Sequence, residues 1–447
     1  MSSLRGIRVA VIGGGLSGLV AARELSKHQA DVHLVEARSR LGGRLWTLRD
    51  DSFSTEPVEL GGEFIDQSHD AVRELAREFG LQLTRVIRGG FGLALEVNGR
   101  LRIHKTQKPI WQAFKRALQQ DADAFEETGC DWTSSIASAL ARRSVDDLLR
   151  ARRASAEVHA MAEALRGFFA ADAIALSALV GIELSMEATD PGHVPVSRVK
   201  GGNDLLVNGL ARTKNVVFGM QRAVKRIQQT DSGVRVTMTD RDGRPETLEA
   251  DYAVVTVPPV VLRDWTFSPP LPAEQRRAME TLSHGFATKA LLRFDTRWWR
   301  ESGRPRAFGT NLPIGAVWES VETANGPAVL TLLAGGQASE ELQTILEEEG
   351  PDGVAARLSW LGTPEPVREF RSMTWEHDAR SKGGYAFFGK SFDPALRYQL
   401  ARAFGRVLFA GEHTSREYQG YMNGAIDSGQ RVAKELAVLE KLAHARR

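Results

Sequence analysis

Gly13-x-Gly15-x-x-Gly18, then Glu36, then Arg38-x-Arg40-x-Gly42-Gly43-Arg44 form the first set of residues whose types and spacing could do chemistry. Gly13 lets the chain turn sharply off a strand, Gly15 removes the Cβ that would block a pyrophosphate, and Gly18 lets a helix approach the sheet closely. A helix starting here offers unpaired N–H groups and the positive end of its dipole to phosphates. Glu36 lies 18 residues beyond Gly18, near the ~20 expected of an acid that accepts a bond from a ribose hydroxyl. An acid there disfavours a 2′-phosphate. NAD and FAD both satisfy this pattern. The arginines suit bidentate phosphate contacts, and an extended FAD needs more contacts than one glycine turn supplies. Taken alone, the arginine run also fits a solvated basic loop.

The elements that must position these residues read outward from them. An apolar run from Ile7 to Ile12, an apolar-periodic segment to Leu25 and a second run from Val32 to Val35 give strand, glycine turn, helix, strand, acid. Val58 to Asp66 carries Glu59, Gly61, Gly62, Glu63 and Phe64, and the glycine pair would let backbone approach a flat ring. A helical pattern follows through Val72, Leu75, Ala76 and Phe79, closed by Gly80. Short alternating runs between Arg85 and Arg102 read as strands with a hairpin turn at Asn98-Gly99. The alanine-rich stretch from Lys108 to Glu187 has helical period, with breaks near Gly129 to Ser134 and at Gly167. It reads as a cap over a ligand or as a plain helical subdomain. After Gly201-Gly202 and a helix to Leu210, runs at Val216 to Phe218, Ala223 to Gln228, Val234 to Thr239 and Tyr252 to Val257 read as a meander returning to the nucleotide domain. It is stopped by Pro258-Pro259. A second excursion, Thr266 to Leu396, includes a strand from Gly285 to Phe294 with Lys289 on it, then Trp375 and Gly383-Gly384-Tyr385. The chain returns through Arg406 to Thr414 and ends in a helix starting near Tyr421.

Composition sets the class. A chain of 447 residues is long for one core, so two domains are expected. The formal net charge of +2 lacks the basic bias of a nucleic-acid binder. Cys130 is the only cysteine, which excludes an intramolecular disulfide and a cysteine-rich metal site, and no metal is expected. The opening MSSLRG runs directly into the first strand, leaving no room for a signal peptide, and the amphipathic C-terminal stretch from Gln430 falls short of the ~20 apolar residues of a membrane span. A cytoplasmic protein without a membrane partner is the expectation.

The opening fingerprint, Glu36 to Arg44, Glu59 to Ile65, Gly201-Gly202, Val257-Pro258-Pro259, Lys289, Trp375 to Tyr385 and Ala410 to Gly429 together resemble the flavin-containing monoamine oxidase family, in the family's order. The resemblance implies an α/β fold: a doubly wound, Rossmann-type FAD-binding domain (1–90, 196–265 and 397–447) interleaved with an α+β substrate domain (91–195 and 266–396). The latter would carry a mixed sheet and a helical cap at about 104–190. It implies oxidation of an amine C–N bond to an imine by hydride transfer to flavin N5, with dioxygen reoxidising the flavin to give hydrogen peroxide. Gly13, Gly15, Gly18, Glu36, Arg38, Gly43, Arg44, Gly61, Gly62, Val224, Trp375, Gly411, Glu412 and Met422 would bind FAD. Lys289 would hold a water at N5, where its residue type alone also fits a solvent-facing lysine sharing a strand face with Arg293. Tyr385 and Tyr421 would flank the substrate amine, with Glu63, Phe64 and Asp66 lining the pocket. The helix after Tyr421 would direct the Met422 N–H and its dipole at the flavin's pyrimidine edge.

Two departures qualify the resemblance. Family members that attach FAD through cysteine carry it just before the first cage tyrosine, where this chain has Gly384, so a flavin not attached through cysteine is expected. Gly411-Glu412-His413-Thr414 also resembles bacterial amine oxidases and L-amino-acid oxidases. The latter place an arginine soon after the glycine pair, and this chain has Glu63-Phe64-Ile65-Asp66, which favours a small-molecule amine. An L-amino-acid oxidase and a tailoring oxidase acting on a larger scaffold are the alternatives. The oligomeric state stays open, a homodimer included.

Overall fold

The computed structural model describes residues 4–187, 195–323 and 326–445, with side chains to residue 442. A five-stranded parallel sheet runs in the order Val407–Phe409, Tyr252–Val255, Arg8–Ile12, Asp31–Glu36, Val216–Met220. Its strands come from separated stretches of chain yet lie in register, with Val11 beside both Leu34 and Val254. They are nearly continuous apolar runs, as a sheet covered on both faces requires.

The helix Leu16–Lys27 packs its buried Leu19, Val20 and Leu25 on that sheet. Gly18 permits the contact, since a Cβ there would lie 1.9 Å from the Gly13 carbonyl oxygen. Gly13 itself sits at φ +109°, a conformation L side chains rarely adopt. The long final helix, Met422–Ala445, crosses the first one tightly: a Cβ on Gly429 would be 2.5 Å from the Ser17 carbonyl, and Ser17 Oγ lies 2.9 Å from Ser428 Oγ. Ser428 Oγ also accepts from the Gly411 N–H at 3.0 Å. This crossing locks both helices to the end of the Val407–Phe409 strand.

The expected meander is divided. Val216–Met220 and Tyr252–Val255 belong to the parallel sheet, while Ala223–Gln229, Val234–Thr239 and Pro245–Ala250 form a separate sheet with Thr266–Ser268. The pattern of short alternating strands was common to both, and only long-range pairing distinguishes them.

A seven-stranded mixed sheet stands opposite, in the order Glu369–Thr374, Ala287–Phe294, Ala328–Gly335, Ala316–Glu319, Ala307–Thr310, Phe91–Val97, Arg100–His104. The stretch read as one strand from Gly285 is split: Ser283–His284 pairs with Ala386–Phe387, and the main strand begins at Ala287. Helices Lys108–Glu126, Ser135–Ala141, Val145–Ala151, Ala156–Ala164 and Ala178–Met186 pack beside this sheet, with Phe114, Phe125, Leu148 and Ile182 fully buried. Gly167 does not break a helix. It lies inside the short helix Arg166–Phe169, where a Cβ would come within 3.2 Å of the Leu333 carbonyl, so its smallness serves close packing on the sheet.

Candidate active site

One cavity runs from the glycine turn to the seven-stranded sheet. At its first end the wall includes Gly13, Gly15, Glu36, Arg38, Gly43 and Arg44. A Cβ on Gly15 would meet nothing within 4 Å, so the absent methyl leaves space rather than relieving a clash. No side chain caps the helix Leu16–Lys27 at Gly15, which leaves its first N–H groups for a ligand. Glu36 is buried, and its carboxylate accepts from the Gly14 N–H at 2.7 Å and the Arg38 N–H at 2.8 Å. Arg38 is tied to Asp378 and donates to Ser381 Oγ at 2.9 Å. Arg40 turns away onto the Trp46 ring, 4.6 Å from its centroid, and burial together with the neighbouring Arg38 lowers its pKa.

In the middle, Gly61, Gly62, Trp375, Gly411, Glu412 and Met422 line the wall. Glu412 is a junction: Oε1 accepts from Arg44 Nη1 at 2.9 Å and the Ala386 N–H at 3.2 Å, and Oε2 accepts from the Gly420 N–H at 2.8 Å. Gly61 lacks a side chain for a reason other than a flat ring. A Cβ there would lie 2.0 Å from the Arg44 carbonyl. Gly62 has only Met422 atoms near such a position, at 3.5 Å or more, and can face a ligand. Met422 opens the final helix, so the N-termini of two helices reach this cavity and favour negative charge in it.

At the far end Lys289, Tyr385 and Tyr421 come together with Glu63 and Phe64. Lys289 is buried, unlike the solvent-facing alternative, and Arg293 on the same face donates instead to the Ser52 carbonyl at 2.6 Å. Lys289 Nζ donates to Glu63 Oε2 at 2.7 Å and to the Gly61 carbonyl at 3.2 Å, so its burial is compensated. The Tyr385 hydroxyl donates to the Phe168 carbonyl, and its ring lies against Gly420, where a Cβ would be 3.4 Å from the ring. Burial raises the pKa of both cage tyrosines, keeping them neutral. Tyr421 packs tilted against His69, ring centroids 4.9 Å apart, and also lines the cavity.

Gly18, Asp66 and Val224 do not reach this wall. Gly18 is consumed by helix packing, as above. Asp66 turns to His69, its carboxylate 3.7 Å from Nε2 and its N–H donating to Nδ1 at 3.1 Å. Val224 is core in the strand Ala223–Gln229. Residues that the sequence did not single out fill the far wall: Ile87, Phe91, Phe168, Phe169, Trp318 and Leu333. Alternation in Ala316–Glu319 puts Ala316 and Trp318 on one face, a signal present in the sequence, but which face meets the cavity is set by the sheet order. Glu63 as the partner of Lys289 was reachable by asking what acid could compensate a lysine in an apolar strand.

The five-stranded parallel sheet, two helix N-termini, Lys289, Tyr385 and Tyr421 all border this one cavity. Residues 16–437 match the family model of flavin containing amine oxidoreductases, and the chain belongs to that family. It is 28% identical to polyamine oxidase 4 of Oryza sativa subsp. japonica over 96% of this chain and 88% of the relative. It is 27% identical to an L-amino-acid oxidase of Mus musculus, over 95% and 70% respectively. Among solved structures, cyclohexylamine oxidase from Brevibacterium oxydans shares the fold with a TM-score of 0.84 at 24% identity, covering 97% of this chain and 99% of that one. Among the described residues no helix is long and apolar enough to cross a membrane, and no His, Cys, Asp or Glu cluster could hold a metal ion.

Proposed function

We propose that this chain oxidises the C–N bond of an amine to an imine with FAD as its cofactor. The observation that carries the reading is a single cavity holding the glycine turn and Glu36 at one end and Lys289, Tyr385 and Tyr421 at the other. The residues present fit FAD: the space above Gly15, two helix N-termini, and the Glu36 carboxylate with acceptor capacity left for ribose hydroxyls. Bound FAD would accept the two electrons taken from the C–N bond and pass them to dioxygen, giving hydrogen peroxide.

The chain's own residues would do the rest. Gly15 and the N–H groups of the first helix would hold the phosphates, and Trp375, its Nε1 donating to the Leu60 carbonyl at 3.3 Å, would back the ring system. Tyr385 and Tyr421 would present electron-rich faces to a neutral amine and, with the apolar far wall, exclude water. Lys289 would fix a water at the wall opposite them. The N-terminus of the final helix at Met422 would stabilise developing negative charge.

The flavin would not be attached through cysteine. Cys130 is exposed and lies on no wall of the cavity, and a Cβ at Gly384 would already lie 2.9 Å from Ala287 Cβ. The test is to precipitate the holoenzyme with acid and run it on a denaturing gel. Yellow colour staying with the polypeptide contradicts the proposal, and release of intact FAD supports it. The mouse relative favours a second reading, oxidation of L-amino acids. Peroxide production from amines, compared with that from the amino acids they derive from by decarboxylation, separates the two.

A further inference from the structure

The far end of the cavity contains one charged pair on its wall. Glu63 and Lys289 meet at 2.7 Å with side-chain exposures of 4% and 3%. Trp318 closes over both: its Nε1 donates to Glu63 Oε1 at 3.3 Å, and its ring centroid lies 5.3 Å from Lys289 Nζ. The same indole is chamber wall, tilted against Phe64 at 5.2 Å and packed in one cluster with Ile87, Phe91 and Leu333. Two further charges stand behind this wall and do not line the cavity. Arg198 lies 3.5 Å from Glu63 Oε1, and Glu59 interacts electrostatically with Glu63 and Lys289.

We propose that the Glu63–Lys289 pair is a specificity device. Each charge neutralises the other, so this wall of the chamber offers a ligand apolar surface and no free counter-charge; the carboxylates that act on Tyr421, those of Asp66 and Glu187, do not line the cavity. A substrate carrying a second ammonium or a carboxylate would have to desolvate that charge against a wall whose opposite charge is already engaged. The site therefore takes amines whose only nitrogen is the one oxidised and whose remainder is an uncharged apolar group. This rests on the amine-oxidase reading above and narrows it.

The experiment uses holoenzyme and three ligand series of matched chain length: straight-chain alkylamines, α,ω-diamines and ω-amino acids. Binding is read anaerobically from perturbation of the visible flavin spectrum and turnover from peroxide. The wild type should prefer the alkylamine over both charged analogues by about tenfold or more. Glu63→Gln uncovers the Lys289 ammonium and should improve the ω-amino acid relative to the alkylamine by about tenfold, while the diamine falls further. Lys289→Met uncovers Glu63 and should shift binding toward the diamine. The double variant removes both members of the pair from the wall, leaving Arg198 and Glu59 behind it, and should keep the wild-type preference for the alkylamine, which preserves the test if a single variant fails to fold. A wild type indifferent to the distal charge, or single variants with an unchanged ranking, would overturn the proposal. Since binding is read without turnover, matched alkyl carboxylates and alkylamines rank the wall's charge even if no amine is oxidised. That outcome would remove the amine-oxidase reading while still deciding this one.

Discussion

The two ends of the cavity are built by different means. At the nucleotide end the groups on the wall are helix N–H donors, missing side chains and the Glu36 carboxylate, and they come from residues 13–18 and 36–44, a single stretch of chain. At the cage end they are side chains from residues 63, 168, 289, 318, 385 and 421, brought together by sheet order and by the contact of Tyr385 with the Phe168 carbonyl. The first end depends on glycines for two separate reasons, close packing at Gly18 and open space at Gly15. The second is held by packing and by one buried ion pair, so it can change specificity without losing its fold. On the proposed function, that division would put cofactor retention at one end and choice of substrate at the other.

Substitutions at the nucleotide end should give the largest effects. Gly18→Val puts a Cβ about where the Gly13 carbonyl sits, 1.9 Å away, a clash beyond the ~1–3 kcal/mol of ordinary overpacking. No folded protein is expected in thermal melts. Gly15→Ala has open space around its new methyl, so it should melt like the wild type yet purify colourless. If both variants behaved alike, the separate roles of these two glycines would be wrong.

At the cage end, Lys289→Met leaves the Glu63 carboxylate buried without its lysine and should cost about 3–5 kcal/mol in denaturant unfolding. Adding Glu63→Gln should recover part of that loss, the remainder reflecting Arg198 left without its carboxylate. Separately, Lys289→Met should slow flavin reduction or reoxidation in stopped flow, and unchanged rates in both would remove its assigned role.

A smaller difference separates the two tyrosines. Tyr385→Phe deletes the hydroxyl bonded to Phe168 and should cost about 1 kcal/mol. Tyr421, 49% exposed because it faces the cavity, should lose less stability on the same change.

The pH dependence of stability sharpens the contrast least but with a definite sign. Burial, aided by Arg44 and Arg431, holds His413 neutral down to about 3, whereas the unfolded chain protonates it near the ordinary 6.5. The unfolded state binds more protons between those values, so stability should fall as pH drops from 6.5 toward 3, and His413→Asn should flatten that limb. Burial pushes Glu59 the other way, up to about 7 from 4.5. There the folded state binds more protons, so this carboxyl should add stability as pH falls through 7 toward 4.5, and Glu59→Gln should remove that gain. Melting temperature measured across pH for the two variants checks both signs.

Much of the fold was legible because its signals are local. The strand, turn, helix, strand, acid order at Ile7 to Glu36 follows from apolar period and glycine placement alone. The cage was legible only through resemblance: nothing in the spacing of Tyr385 and Tyr421 places them on one cavity. Trp318 and Phe168 were missed since an aromatic residue in an apolar run reads equally as core. Val224 and Asp66 failed to reach the wall because position in a motif does not fix which way a side chain turns. Asp66 had a nearer partner in His69. Lys289 was the instructive intermediate case. Its burial was costly enough to demand a partner, but the partner lay 226 residues away in sequence, on a segment that the sequence analysis assigned to the pocket wall.

Amine oxidation by this chain requires that an amine reduce the flavin. Anaerobic mixing of the purified holoenzyme with an apolar alkylamine, followed by visible absorbance, tests this directly. Bleaching by the amine, and recovery of the spectrum with peroxide formed on admitting air, is the expected result. If dithionite bleaches the flavin but no primary amine, secondary amine, polyamine or amino acid does, the assignment of amine oxidation to this chain is contradicted.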